Sequence, residues 1–135
     1  MRRLVGVGVL AALGAVVVTT LAAALARAAG VDLEVSEGEA IPLSGISVVT
    51  SFFSLVGVVI AAALHRWSAR PTERFVWTAL ALTGVSLIPP VLVEADTPTT
   101  VTLIGLHLLA AAVMIPTLAR ALSRAPEPAP VSCRR

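Results

Sequence analysis

Four stretches of this chain are apolar for about the length that a helix needs to cross a bilayer core, roughly 20 residues for about 30 Å. They cover residues 4–26, 43–64, 75–93 and 98–119, each bounded by charge or by turn residues. Of the 135 residues, 57% are hydrophobic and 13% charged, where soluble domains hold roughly 45–50% and about 25%. A soluble fold of this length has no interior large enough to hide so much apolar surface, so part of its solvent must be lipid. The expected fold class is therefore all-α, an integral membrane four-helix bundle. Residues 1–120 form its single domain, and 121–135 form a disordered Pro- and Arg-bearing tail, "RAPEPAPVSCRR" from position 124.

Orientation follows from the arginines, since basic residues stay on the cytoplasmic side. Arg2, Arg3, Arg66, Arg70, Arg74, Arg120, Arg124, Arg134 and Arg135 fall on one side with two acids, Glu73 and Glu127. The other side carries Arg27 with Asp32, Glu34, Glu37, Glu39, Glu94 and Asp96. Four spans then leave both termini cytoplasmic, in a multi-pass protein of the inner cell membrane. Every basic residue is arginine, which with the abundance of Ala and Val suits a G+C-rich bacterial genome. The computed pI near 10.0 reflects arginines at membrane edges and a net charge of only +2, so no nucleic-acid partner is expected. The rival reading of the first span is a cleaved secretory signal. Its apolar core runs well past the roughly 7–15 residues of such signals, and an anchored first span is the expectation.

The termini of the spans have their own chemistry. In "EADTPTT", residues 94–100, Thr97 is the expected cap and Pro98 the first helical residue, where a missing N–H costs nothing. Pro71 and Glu73 open the third span in the same manner. His65, Arg66, Trp67, Phe75 and Trp77 suit the interfacial belt. The longest outer connection, "RAAGVDLEVSEGEAIP" at 27–42, reads as a solvated acidic loop rather than a cation site, because its acids follow no metal-loop spacing. Cys133 has no partner cysteine.

Small residues let helices approach closely in lipid. The first span offers Gly6, Gly8, Ala11, Ala12, Gly14, Ala15, Ala22, Ala23 and Ala26. The second offers a stripe of Ser44, Ser47, Ser51 and Ser54, expected to be a helix–helix seam rather than a pore lining. Pro89 and Pro90 remove the donors that would meet the carbonyls of Val85 and Ser86, so a kink is expected there; Pro116 frees the carbonyl of Ala112 and bends the fourth span.

His107 is the one ionisable side chain deep in a span. It lies nine residues past Pro98, about 13 Å along a helix, near the midplane. Ser51 and Ser54, Thr83 and Ser86 fall at the same depth, which makes these five residues the candidate intramembrane polar site. Two readings follow. In the first, the imidazole satisfies the Val85 or Ser86 carbonyl freed by the proline pair and is structural. In the second, it relays protons or contacts a ligand.

The block "SLIPPVL", "EADTPTT" and "LIGLHLLAAAVMIPTLAR", residues 86–120, resembles a family of small four-helix membrane proteins of unknown function common in actinobacteria. The resemblance implies that Pro90, Asp96, Thr100 and His107 are signature positions, and it implies a fold without an activity. The leading functional expectation is a structural or accessory membrane protein. Its partners are the lipid bilayer and either a second copy of itself or another membrane component. The alternative is a small transporter or channel subunit using His107. No catalytic constellation, metal set or cofactor motif is present in the sequence, so no enzyme activity, metal or cofactor is expected.

Overall fold

The computed structural model describes residues 2–35, 39–92 and 96–125. Helix α1 runs over Arg2–Ala28 and α2 over Leu43–Trp67. Helix α3 covers Pro71–Ser86, α4 Ile88–Leu92, and α5 Thr97–Ser123. Two short strands, β1 (Glu34–Val35) and β2 (Glu39–Ala40), pair antiparallel between α1 and α2, with Glu34 opposite Ala40. The protein is a four-helix membrane protein in which α1, α2 and α5 are each long and apolar enough to cross a bilayer.

The fourth column is built in two pieces. Pro89 and Pro90 cannot donate to the carbonyls four residues back, so α3 stops at Ser86. Leu87 closes it, its N–H bonding the Gly84 carbonyl at 3.2 Å. Both prolines then sit in the first turn of α4, where N–H groups have no intrahelical partner. The single span expected over 75–93 is thus a 16-residue helix followed by a 5-residue one. Pro116 does not break α5, which continues through it to Ser123. The tail from residue 126 onward lies outside the described residues.

Helix α1 is the packing centre. Leu4, Gly8, Ala11, Ala12, Ala15, Thr19 and Ala23 are buried along one stripe, against α2 and α5. The seam uses only part of the small-residue supply; a side chain at Gly6 or Gly14 would meet open space. Burial in lipid gains little from apolar contact alone, so close fit and hydrogen bonds carry the association. The Thr20 and Ser47 hydroxyls meet at 2.9 Å across the α1–α2 seam, and the Thr19 and Thr50 hydroxyls lie 3.4 Å apart. Of the expected serine stripe, Ser47 joins this seam, Ser54 is buried, and Ser44 is exposed.

Two residues assigned to the interfacial belt are inside instead. Phe75 is 2% exposed and joins the inner core with Leu4, Val58, Leu118 and Leu122. His65 is also buried, one turn beyond Ala61 on the buried stripe of α2. Trp67 and Trp77 are exposed, as that belt requires.

The connection after α1 is a folded cap rather than a merely solvated loop. Leu33 is fully buried among Ala23, Ile46 and Leu106, and reaches that position with φ 51°. Gly30 turns the chain at φ 90°. The Ile41 N–H bonds the Leu33 carbonyl at 2.9 Å, and the Arg27 guanidinium donates to the Ile41 carbonyl. Arg27 thereby ties α1 to the start of α2.

Candidate functional site: a cavity between α2, α3 and α5

On the side away from α1, the facing surfaces of α2, α3 and α5 do not close. They leave a cavity of about 580 Å³, partly open to its surroundings, to which α1 contributes no residue. The sequence explains the gap. Gly57, Ala79, Ala110 and Ala111 face it with little side chain, while the bulkier Phe53, Leu82 and Met114 form its walls. The lining is almost wholly apolar.

Four of the five residues of the expected polar layer border this one cavity: Ser54, Thr83, Ser86 and His107. Ser51 does not; its hydroxyl donates to the Ser47 carbonyl at 2.7 Å, within its own helix. Thr50 and Thr78 line the cavity as well, and their depth relative to His107 was readable from the sequence.

The bonding of His107 differs from the expected structural role. Its Nδ1 lies 2.8 Å from the Leu103 carbonyl, one turn back on α5. It does not reach across to the carbonyls of Val85 or Ser86. Its own helix offers a carbonyl at the right distance with no reorganisation, and the break at Leu87 already accommodates the prolines. Because a carbonyl only accepts, Nδ1 carries the proton in this contact, and in that tautomer Nε2 is left as an acceptor.

The neighbouring hydroxyls follow the same local rule. Thr83 donates to the Ala79 carbonyl at 2.8 Å and Ser86 to the Thr83 carbonyl at 2.7 Å. Such back-bonding satisfies a hydroxyl in lipid without water or a partner helix. The cavity thus contains no file of hydroxyls bonded to one another among the described residues. Nor are three His, Cys, Asp or Glu side chains grouped there as metal ligands need.

Of the other positions that the resemblance implied, Asp96 and Thr100 lie at the start of α5. The cap is Asp96, one residue before the expected Thr97: its carboxylate accepts from the Thr99 N–H at 3.2 Å, and Pro98 falls in the first turn. Asp and Thr both cap, and here the residue with the acceptor charge takes the position. The Thr100 N–H bonds the Asp96 carbonyl at 3.0 Å, so Asp96 and Thr100 together start the helix. Pro90 lies in α4. Glu37 and Glu94 are outside the described residues. Asp96→Ala should cost about 1 kcal/mol of stability while Asp96→Asn should cost little; thermal unfolding in detergent, followed by helix signal, measures both.

No curated protein and no solved structure matches the chain. The model of the family of unknown function DUF6069 matches residues 1–124, which include every helix described above, and the chain therefore belongs to that family.

Proposed function

We propose that this is a multi-pass protein of the bacterial inner membrane with a structural or accessory role, whose working part is the helical bundle itself. The arginine asymmetry of the sequence supports a topology with both ends in the cytoplasm. In that topology α3 and α4 together make the fourth crossing; residues 71–92 span about 33 Å at 1.5 Å per residue. The single domain runs to the end of α5 at Ser123, just past the expected boundary at 120, with the Pro- and Arg-bearing tail beyond it. A membrane-bound partner, or a second copy of the chain, is the object of the accessory role.

The observation that carries this reading is the local bonding of the intramembrane polar groups. Thr19, Ser47, Ser51, Thr83, Ser86, His107 and Thr117 each bond a carbonyl of their own helix. A transport route for protons or ions needs polar groups that hand over to one another or to water, whereas at the cavity Thr83, Ser86 and His107 are turned to their own backbone. The alternative, a small transporter or channel subunit, would have to work through His107 beside Ser54, Thr83 and Ser86. Vesicles loaded with a pH-sensitive dye separate the two. Wild type and His107→Ala should both show background proton flux. Flux above background that disappears in His107→Ala would support the transport alternative instead. Crosslinking in native membranes should trap a membrane partner or a dimer, and a chain that stays monomeric would contradict the accessory role.

A further inference from the structure

We propose that the cavity between α2, α3 and α5 binds one uncharged lipophilic molecule carrying an O–H donor, seated on Nε2 of His107. The inference is independent of the accessory role, since it concerns what fills the bundle and not what the bundle serves.

Three observations lead to it. First, the space is of ligand size. About 580 Å³ falls within the roughly 300–1,000 Å³ of small-molecule pockets. Second, the lining selects the chemistry. Apolar walls without a described charged side chain exclude an ion or a headgroup phosphate, because burying an unpaired charge there is prohibitive. Third, among the polar side chains of the lining, His107 offers a ring nitrogen as an acceptor. The Leu103 carbonyl fixes the ring with the proton on Nδ1, and Thr83 and Ser86 have turned their protons to backbone. A molecule that places an O–H against Nε2 completes the ring's bonding, whereas one that offers only an acceptor meets a lone pair. The walls hold the molecule, and the imidazole selects for the hydroxyl. A phenol or alcohol with an alkyl body has this form.

The test compares two probes that differ only in that group. Tritiated 4-nonylphenol and nonylbenzene are titrated into the full-length protein in lipid nanodiscs, with empty nanodiscs as background. The phenol should bind saturably, one per chain, and about tenfold more tightly than nonylbenzene, the worth of one buried hydrogen bond. His107→Leu should remove that tenfold preference and leave nonylbenzene unchanged. His107→Gln, which retains an acceptor, should restore most of it. Ala110→Phe, which fills the cavity from α5, should abolish saturable binding of both probes. Helix content and a single elution peak matching wild type show that each variant is folded. If His107→Leu fails that check, the wild-type preference and the Gln and Phe variants decide. Equal affinity for the two probes in wild type, absence of saturable binding, or phenol binding unmoved by Ala110→Phe or by a folded His107→Leu would each overturn the proposal.

Discussion

Gly8→Leu is expected to destroy the bundle, while the same change at Gly6 or Gly14 leaves it intact. A Cβ added at Gly8 would lie 2.8 Å from Cγ2 and 2.9 Å from Cγ1 of Val58 on α2. It would also lie 3.3 Å from Cδ2 of Leu118 on α5. Both neighbours are buried, at 6% and 0% exposure, and the β-branched Val58 has little rotamer freedom with which to retreat. Overpacking of this kind costs about 1–3 kcal/mol for a few added carbons. Gly8→Ala should fall in that range and Gly8→Leu at or beyond its upper end. At Gly6 and Gly14 nothing lies within 4 Å, so leucine there projects into open space and raises helix propensity by up to about 1 kcal/mol. Yield of monodisperse protein and thermal unfolding in mild detergent read the contrast. A bundle indifferent to Gly8→Leu would mean that α1 does not hold α2 and α5 together.

The second large effect lies in the cap. Leu33→Ala should cost about 2–4 kcal/mol, because the side chain is fully buried among Ala23, Ile46 and Leu106. This part of the core lies beside the loop, where leaving water drives burial. The backbone adds a signature of its own. Leu33 is held at φ 51°, a conformation costing roughly 1–2 kcal/mol for a residue with a Cβ. Leu33→Gly should therefore be no worse than Leu33→Ala, against the usual order of the two residues. A much greater loss for glycine, by the same unfolding measurement, would show that the left-handed backbone at this position carries no strain.

The helices were legible because their signals are chemical and local. Arginine pairs, Pro71 and the Asp96–Pro98 turn mark where apolar runs begin, and the bilayer fixes how long they must be. A kink before Pro89 was legible for the same reason, as missing donors, but the division of the span into two helices was not. What the sequence concealed depended on direction and on tertiary partners. An aromatic at the start of a span suits an interface, yet Phe75 points inward while Trp77, two residues on, points out. The cap that follows α1 needs Leu33 in a conformation that leucine rarely adopts, stabilised by its burial and by the Ile41 N–H bond to its carbonyl. No periodicity announces that.

Counting along the spans gave no access to the bonding of the polar side chains. Counting residues along the spans brought Ser54, Thr83, Ser86 and His107 to one level, and these four border the cavity. Ser51 shares the level but not the face. Whether His107 bonds across the bundle or along its own helix is a contest between two carbonyls, and the nearer one at Leu103 prevails. The cavity itself left no mark in the sequence, because small residues such as Ala110 and Ala111 serve equally well at a tight seam and at a gap.

The four-crossing topology is the claim on which the functional reading rests, and thiol labelling in intact cells tests it most directly. Cys133 is the chain's one cysteine, so it can be used as it stands. Ala40→Cys and Ala69→Cys, both at exposed positions, are made in a Cys133→Ser background. With a membrane-impermeant maleimide, the thiol at 40 should label in intact cells, while those at 69 and 133 should label only after the membrane is opened. Labelling of position 133 or 69 from outside, or protection of position 40 until the cells are broken, would contradict the account.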